Sequence, residues 1–86
     1  MKHNIIAIRD RKANAFNRPM ALPSIGQAIR SFQDEINRED NNNDLWKHPG
    51  DFDLYLLGTW DDETGQFENS EVPNQIAIGE ELKYRI

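Results

Sequence analysis

Within this 86-residue chain, one stretch commits to a conformation unaided and limits what the remainder can build. Ser24 is a good helix N-cap, and Gln27 three residues later completes a capping box. The hydroxyl accepts an orphan backbone N–H while the amide reaches back. Ile25, Ile29, Phe32 and Ile36 then recur at spacings of four, three and four, which is one face of a helix. Gly26 falls in the first turn, where glycine costs under about 1 kcal/mol relative to Ala. The turn-favouring run Asn41, Asn42, Asn43, Asp44 stops the helix near Arg38. Such a helix would cover one face of a sheet.

The strands for that sheet flank the helix. Asn4 to Arg9 holds the continuous run Ile5, Ile6, Ala7, Ile8, which suits a strand covered on both faces. Residues 10–23 form a basic loop restricted by Pro19 and Pro23, with an extended stretch at Arg18–Leu22. Trp46 to Gly50 is a turn-rich approach to a second strand. There Phe52, Leu54, Leu56 and Trp60 alternate with Asp53, Tyr55, Leu57 and Thr59, giving one apolar face and one half-apolar face. Asp61-Asp62-Glu63-Thr64-Gly65 turns the chain, with Gly65 in a left-handed conformation, and Gln66–Asn69 returns with Phe67 inward. A strand–helix–strand crossover would make the first and central strands parallel. The expected fold is therefore α+β. One helix packs on a three- to four-stranded mixed sheet with a C-terminal β-hairpin, in a single small domain over residues 1–70. Residues 71–86 form a tail that is a strand, a docking helix or a flexible arm.

So short a chain has one core, and without cysteine neither disulfides nor a thiolate zinc site can support it. The start, MKHNIIAIRD, is too short in apolar residues for a signal peptide or a membrane span, so no membrane partner is expected. The net charge of -5 argues against a general nucleic-acid binder, but the charges are unevenly placed. Lys2, Arg9, Arg11, Lys12, Arg18, Arg30 and Arg38 face only three acids in residues 1–38. Lys47, Lys83 and Arg85 face twelve in residues 39–86. Such asymmetry marks a basic contact face backed by an acidic one, or halves that pair within or between subunits.

Catalytic chemistry finds little to stand on. His3 and His48 are tied to no nucleophile by any sequence rule, and Ser24 is accounted for as a cap. DDETG lacks the length and ligand spacing of a calcium loop, and the five glycines are scattered singly rather than grouped for phosphate. No enzyme, metal or cofactor is expected. Binding has more support. Arg9, Arg11, Lys12 and Arg18 surround Phe16, with Arg30 on the helix beyond. Single-stranded nucleic acid is gripped by cations along its phosphates and aromatics against its bases. Phe16 either stacks in this way or anchors the loop in the core.

The stretches IRDRKANAFNRPMALPSIGQAIRSFQDEIN and KHPGDFDLYLLGTWDDETGQFEN, about residues 5 to 69, resemble the small nonstructural protein of gokushovirus-type microviruses. These are tail-less icosahedral phages with circular single-stranded DNA. The resemblance is carried by Asp10, Lys12, Ala13, Phe16, Arg18 and Pro19, then Ala28, Arg30 and Phe32, then Leu54, Leu57 and Gly58, and finally Asp61, Thr64, Gly65 and Phe67. NNNDLW and the residues after Val72 fall outside it. It implies a phage-encoded, nonstructural, DNA-binding protein of the infected bacterial cytoplasm. The implied role lies in the passage from duplex replication to single-strand synthesis and packaging. The expected partner is single-stranded DNA. The alternative is an adaptor for a viral replication or assembly protein or a host factor. A homodimer would cover the second face of the sheet.

Overall fold

The computed structural model describes residues 1–84, so Arg85 and Ile86 of the expected tail lie outside the described residues. Strand β1 (Lys2–Asp10) is followed by two short strands, β2 (Ala15–Phe16) and β3 (Met20–Leu22), and by helix α1 (Ile25–Ile36). A short helix α2 (Asp44–Lys47) and a 3-10 turn (Pro49–Asp51) lead into β4 (Phe52–Asp61). Strand β5 (Phe67–Ile78) and a one-turn helix α3 (Gly79–Leu82) complete the chain. The sheet order is β2-β1-β4-β5, with β3 also paired to β1.

Every pairing is antiparallel, which corrects the expected mixed sheet and its parallel crossover. The reason is the extra return stroke before the helix. β3 runs back along β1 until Leu22 lies beside Asn4, α1 then carries the chain the other way, and β4 starts with Phe52 beside Asp10. An odd additional pass inverts the direction of the next long strand.

Helix α1 begins as its residues require: the Ser24 hydroxyl accepts from the Gln27 amide N–H at 3.1 Å. Its buried line is Ala28, Phe32 and Ile36, with Ile29 half-buried beside it and Ile25 at the exposed margin. These pack on Ile6, Phe52 and Leu54, with Leu22, Leu45 and Leu82 closing the sides. Removing a ring such as Phe32 from this layer would cost about 3–5 kcal/mol. The Asn run does more than turn the chain. Buried Asn43 donates to the carbonyls of Glu35 and Arg38 at 2.8 and 2.9 Å and accepts from Leu45 N–H at 3.2 Å, joining the end of α1 to the start of α2.

β5 passes straight through the expected boundary at residue 70. Beyond it, α3 brings Lys83 to the end of α1, where its ammonium donates to the carbonyls of Ile36 and Trp46 at 3.3 and 3.2 Å. A cation there also opposes the negative end of the helix. β5 is the open edge of the sheet, and it is broken where Ser70–Pro73 bulge opposite Leu57 alone. A bulge carrying a proline, which has no N–H, is a poor template for another strand.

The second irregularity sets the two faces of the sheet. Ile6 pairs with Leu56 and Ile5 with Gly58, so Leu57 is an extra residue and the alternation of β4 changes there. Trp60, expected beside Phe52, Leu54 and Leu56, therefore shares the opposite face with Tyr55. Phe67, expected inward, lies beside Trp60 and is 65% exposed.

Gly58 makes the bulge possible. Its φ is +155°, and a Cβ there would stand 2.3 Å from the carbonyl oxygen of Glu68. Gly58→Ala should destabilise the fold by more than about 2 kcal/mol through strain and overpacking. Gly26→Ala, with nothing within 4 Å of its Cβ, should be neutral or stabilise α1 by up to about 1 kcal/mol. Urea unfolding of the two variants measures both signs.

Candidate nucleic-acid interface

The basic loop expected at residues 10–23 begins as a hairpin packed against the sheet and ends in β3. Asp10 starts it: its carboxylate accepts from the backbone N–H groups of Lys12 and Ala13 at 2.9 and 3.2 Å. Asn14 follows in the left-handed conformation with φ of 56°, where asparagine is tolerated better than most residues. Arg9 then pairs with Phe16, and Asn17 closes the hairpin on Ile8 through its backbone N–H and its side-chain oxygen, both at 2.9 Å.

Strand alternation places Arg9 and Phe16 on the sheet face away from α1. The Phe16 ring meets Tyr55 edge-on with centroids 5.3 Å apart, and the Arg9 guanidinium lies 5.4 Å from the Phe16 centroid. The Arg9 guanidinium also donates to the Asn14 side-chain oxygen. Phe16 thus anchors the hairpin on Tyr55 rather than in the core, and its ring remains 37% exposed. Lys12 and Arg18 are exposed on the same hairpin, and neither enters an ion pair among the described residues.

Arg11 has a different position. Its Nε stands 3.1 Å from Oδ2 of Asp53, and its guanidinium donates to the Gly50 carbonyl. Its backbone N–H donates to the Asp51 carbonyl at 2.8 Å. Asp53 is only 2% exposed, and its Oδ1 has no partner among the described residues, so Arg11 supplies the countercharge for a buried carboxylate. It is a latch between hairpin and sheet. Arg30 is not brought to the hairpin: it lies on the solvent side of α1, along an open hollow with Gln27 and Asp34.

The same open face holds a second aromatic group that the sequence reading left out of the site. His3, Trp60 and Phe67 stand in a row, with centroid separations of 5.7 Å and 6.3 Å. The pairing of Trp60 with Phe67 across an acidic turn was visible in the sequence; the face they occupy was hidden by the bulge. Asp62 closes this end. The Met1 ammonium at 2.8 Å and the His3 ring at 2.9 Å hold its carboxyl below the usual carboxylate range.

The architecture is a two-layer α+β domain that shows solvent an aromatic sheet face beside a basic hairpin. The sequence model of the Phage ORF5 protein family matches residues 3–82, and the chain belongs to that family of phage proteins. No curated protein and no solved structure matches it. Among the described residues, no helix is long and apolar enough to cross a membrane.

Arg11→Ala should leave Asp53 buried without its countercharge and destabilise the protein by about 1–3 kcal/mol, less than the roughly 3–5 kcal/mol of a fully buried pair because Arg11 itself is half exposed. Adding Asp53→Asn should recover part of that loss. Equal stabilities of the single and double variants in urea would contradict the latch.

Proposed function

We propose that this phage protein is a non-enzymatic accessory factor that binds single-stranded DNA in the infected bacterial cytoplasm. Its place is the switch from genome replication to single-strand synthesis and packaging. One observation carries the reading: Phe16 is displayed under the Arg9 guanidinium on the sheet face away from α1, in a segment that also carries the exposed Lys12 and Arg18. Cations along a backbone and an accessible ring are what single strands require, and the same arrangement gives little grip on stacked duplex bases. The net charge of -5 limits non-specific attraction, so binding depends on this local group. The rival reading is an adaptor that engages a viral or host protein.

A labelled oligothymidylate should bind more tightly than a duplex of equal length, and more weakly as salt rises. Lys12→Ala combined with Arg18→Ala removes two phosphate contacts and should flatten the slope of log K against log salt by roughly 1.4, at about 0.7 per contact on a single strand. Arg11 is unsuited to this test because its loss perturbs the fold. Absence of binding to either nucleic acid at low salt would reject the proposal and favour the adaptor.

A further inference from the structure

We infer that residues 79–84 are a remote lock on the basic hairpin, acting through the 3-10 turn that lies between them, so that release of this strap loosens the hairpin. The coupling stands on the packing of the protein alone. Its effect on binding rests on the single-strand reading above.

The turn Pro49–Asp51 is gripped from two sides. On one side is Arg11 of the hairpin, whose guanidinium donates to the Gly50 carbonyl and whose backbone N–H donates to the Asp51 carbonyl at 2.8 Å. On the other side is the start of α3. A Cβ on Gly79 would stand 2.5 Å from the Pro49 carbonyl oxygen and 2.4 Å from that of Phe52, and one on Gly50 would stand 2.9 Å from the Glu80 carboxylate. At Gly79 backbone thus meets backbone, and a shift of α3 finds no soft side chain to absorb it. The guanidinium that holds the Gly50 carbonyl is the one that faces buried Asp53, so a turn freed by an open strap disturbs the latch.

The strap is held by groups that a local opening releases together. The Asn37 side chain grips the main chain on either side of Lys83: its Nδ2 donates to the Leu82 carbonyl at 3.0 Å, and its oxygen accepts from the Tyr84 N–H at 2.8 Å. The Lys83 ammonium, bound to the carbonyls of Ile36 and Trp46, lies 5.2 Å from the Trp46 ring centroid. Trp46 stands three residues before the turn, so Lys83 steadies the turn from its other end as well. Leu82 and Lys83 are half-buried and Tyr84 is exposed, which places the strap among segments that open without global unfolding. Coupling of this kind is reciprocal: a hairpin fixed by a bound strand would in turn fix the strap.

Hydrogen exchange followed by NMR reads each amide separately. Lys83→Met removes the ammonium and keeps an apolar stem. It should speed exchange at the N–H groups of Tyr84, Arg11 and Asn17 by roughly 5-fold or more, the low end of couplings between sites, with a smaller change across the β1–β4 pairing. Faster exchange at Tyr84 with Arg11 and Asn17 unchanged would overturn the lock, and so would an equal rise at every amide, which is global unfolding. Asn37→Ala, which takes away the acceptor of the Tyr84 N–H, is the second variant and is judged on Arg11 and Asn17 by the same outcomes. In the unaltered protein, saturating oligothymidylate should slow exchange at Tyr84. Protection of Arg11 and Asn17 by the strand with Tyr84 unmoved would overturn the coupling. If the strand does not bind, the single-strand reading falls, and the lock is decided by the two variants.

Discussion

At Gly58 the backbone takes a φ of +155° and passes so close to the carbonyl of Glu68 that no side chain fits between them. Strand β4 changes parity at this point, and the composition of both sheet faces follows. Before the bulge, Phe52, Leu54 and Leu56 point at the helix; after it, Trp60 points away and joins Tyr55. A regular strand would have turned Trp60 to the helix side of the sheet and removed the largest ring from the open face. The bulge therefore has two effects, closing the core and furnishing the surface opposite.

The reach of the helix explains why the core can do without Trp60. Twelve residues of α1 extend about 18 Å at roughly 1.5 Å per residue, whereas the ten residues of β4 extend about 33 Å. The helix can cover little more than half of the strand, so the end carrying Trp60 and Phe67 has no roof on the helix side. The remaining protection is local. Met1, His3 and Asp62 tie the first strand to the β4–β5 turn, and the Ser70–Pro73 bulge spoils the free edge. Polar clamps at the margins thus replace a second layer.

Local signals in the sequence were dependable where one residue decides one feature. Ser24 caps α1, Gly65 takes a positive φ in the hairpin turn, and the α1 stripe from Phe32 to Ile36 is buried. The misplacements share a cause, which is that β structure is specified by distant partners. Strand direction depended on β3, three residues whose pairing to β1 leaves no periodic trace. The face of Trp60 depended on a single glycine that in sequence looks like any other. In the candidate site, Arg9 and Phe16, close in sequence, do meet in space. Proximity in sequence gave no hint that Arg11 would turn inward to Asp53, forty-two positions later, or that Arg30 would lie across the sheet on α1.

The central position of β1 has a consequence for how the chain is made. β1 leaves the ribosome before its sheet partners, and one of its flanks can be covered soon afterwards by β2 and β3. The other flank needs β4, whose pairing begins at Phe52 and ends at Asp61 beside Lys2. Until some fifty further residues have been synthesised, the Ile5–Ile8 strand presents an unpaired apolar edge, the kind of surface through which nascent chains aggregate. The closing bonds from Lys83 to Ile36 and Trp46 come later still. The sheet and the core between α1 and β4 are therefore completed only after most of the described residues have been made.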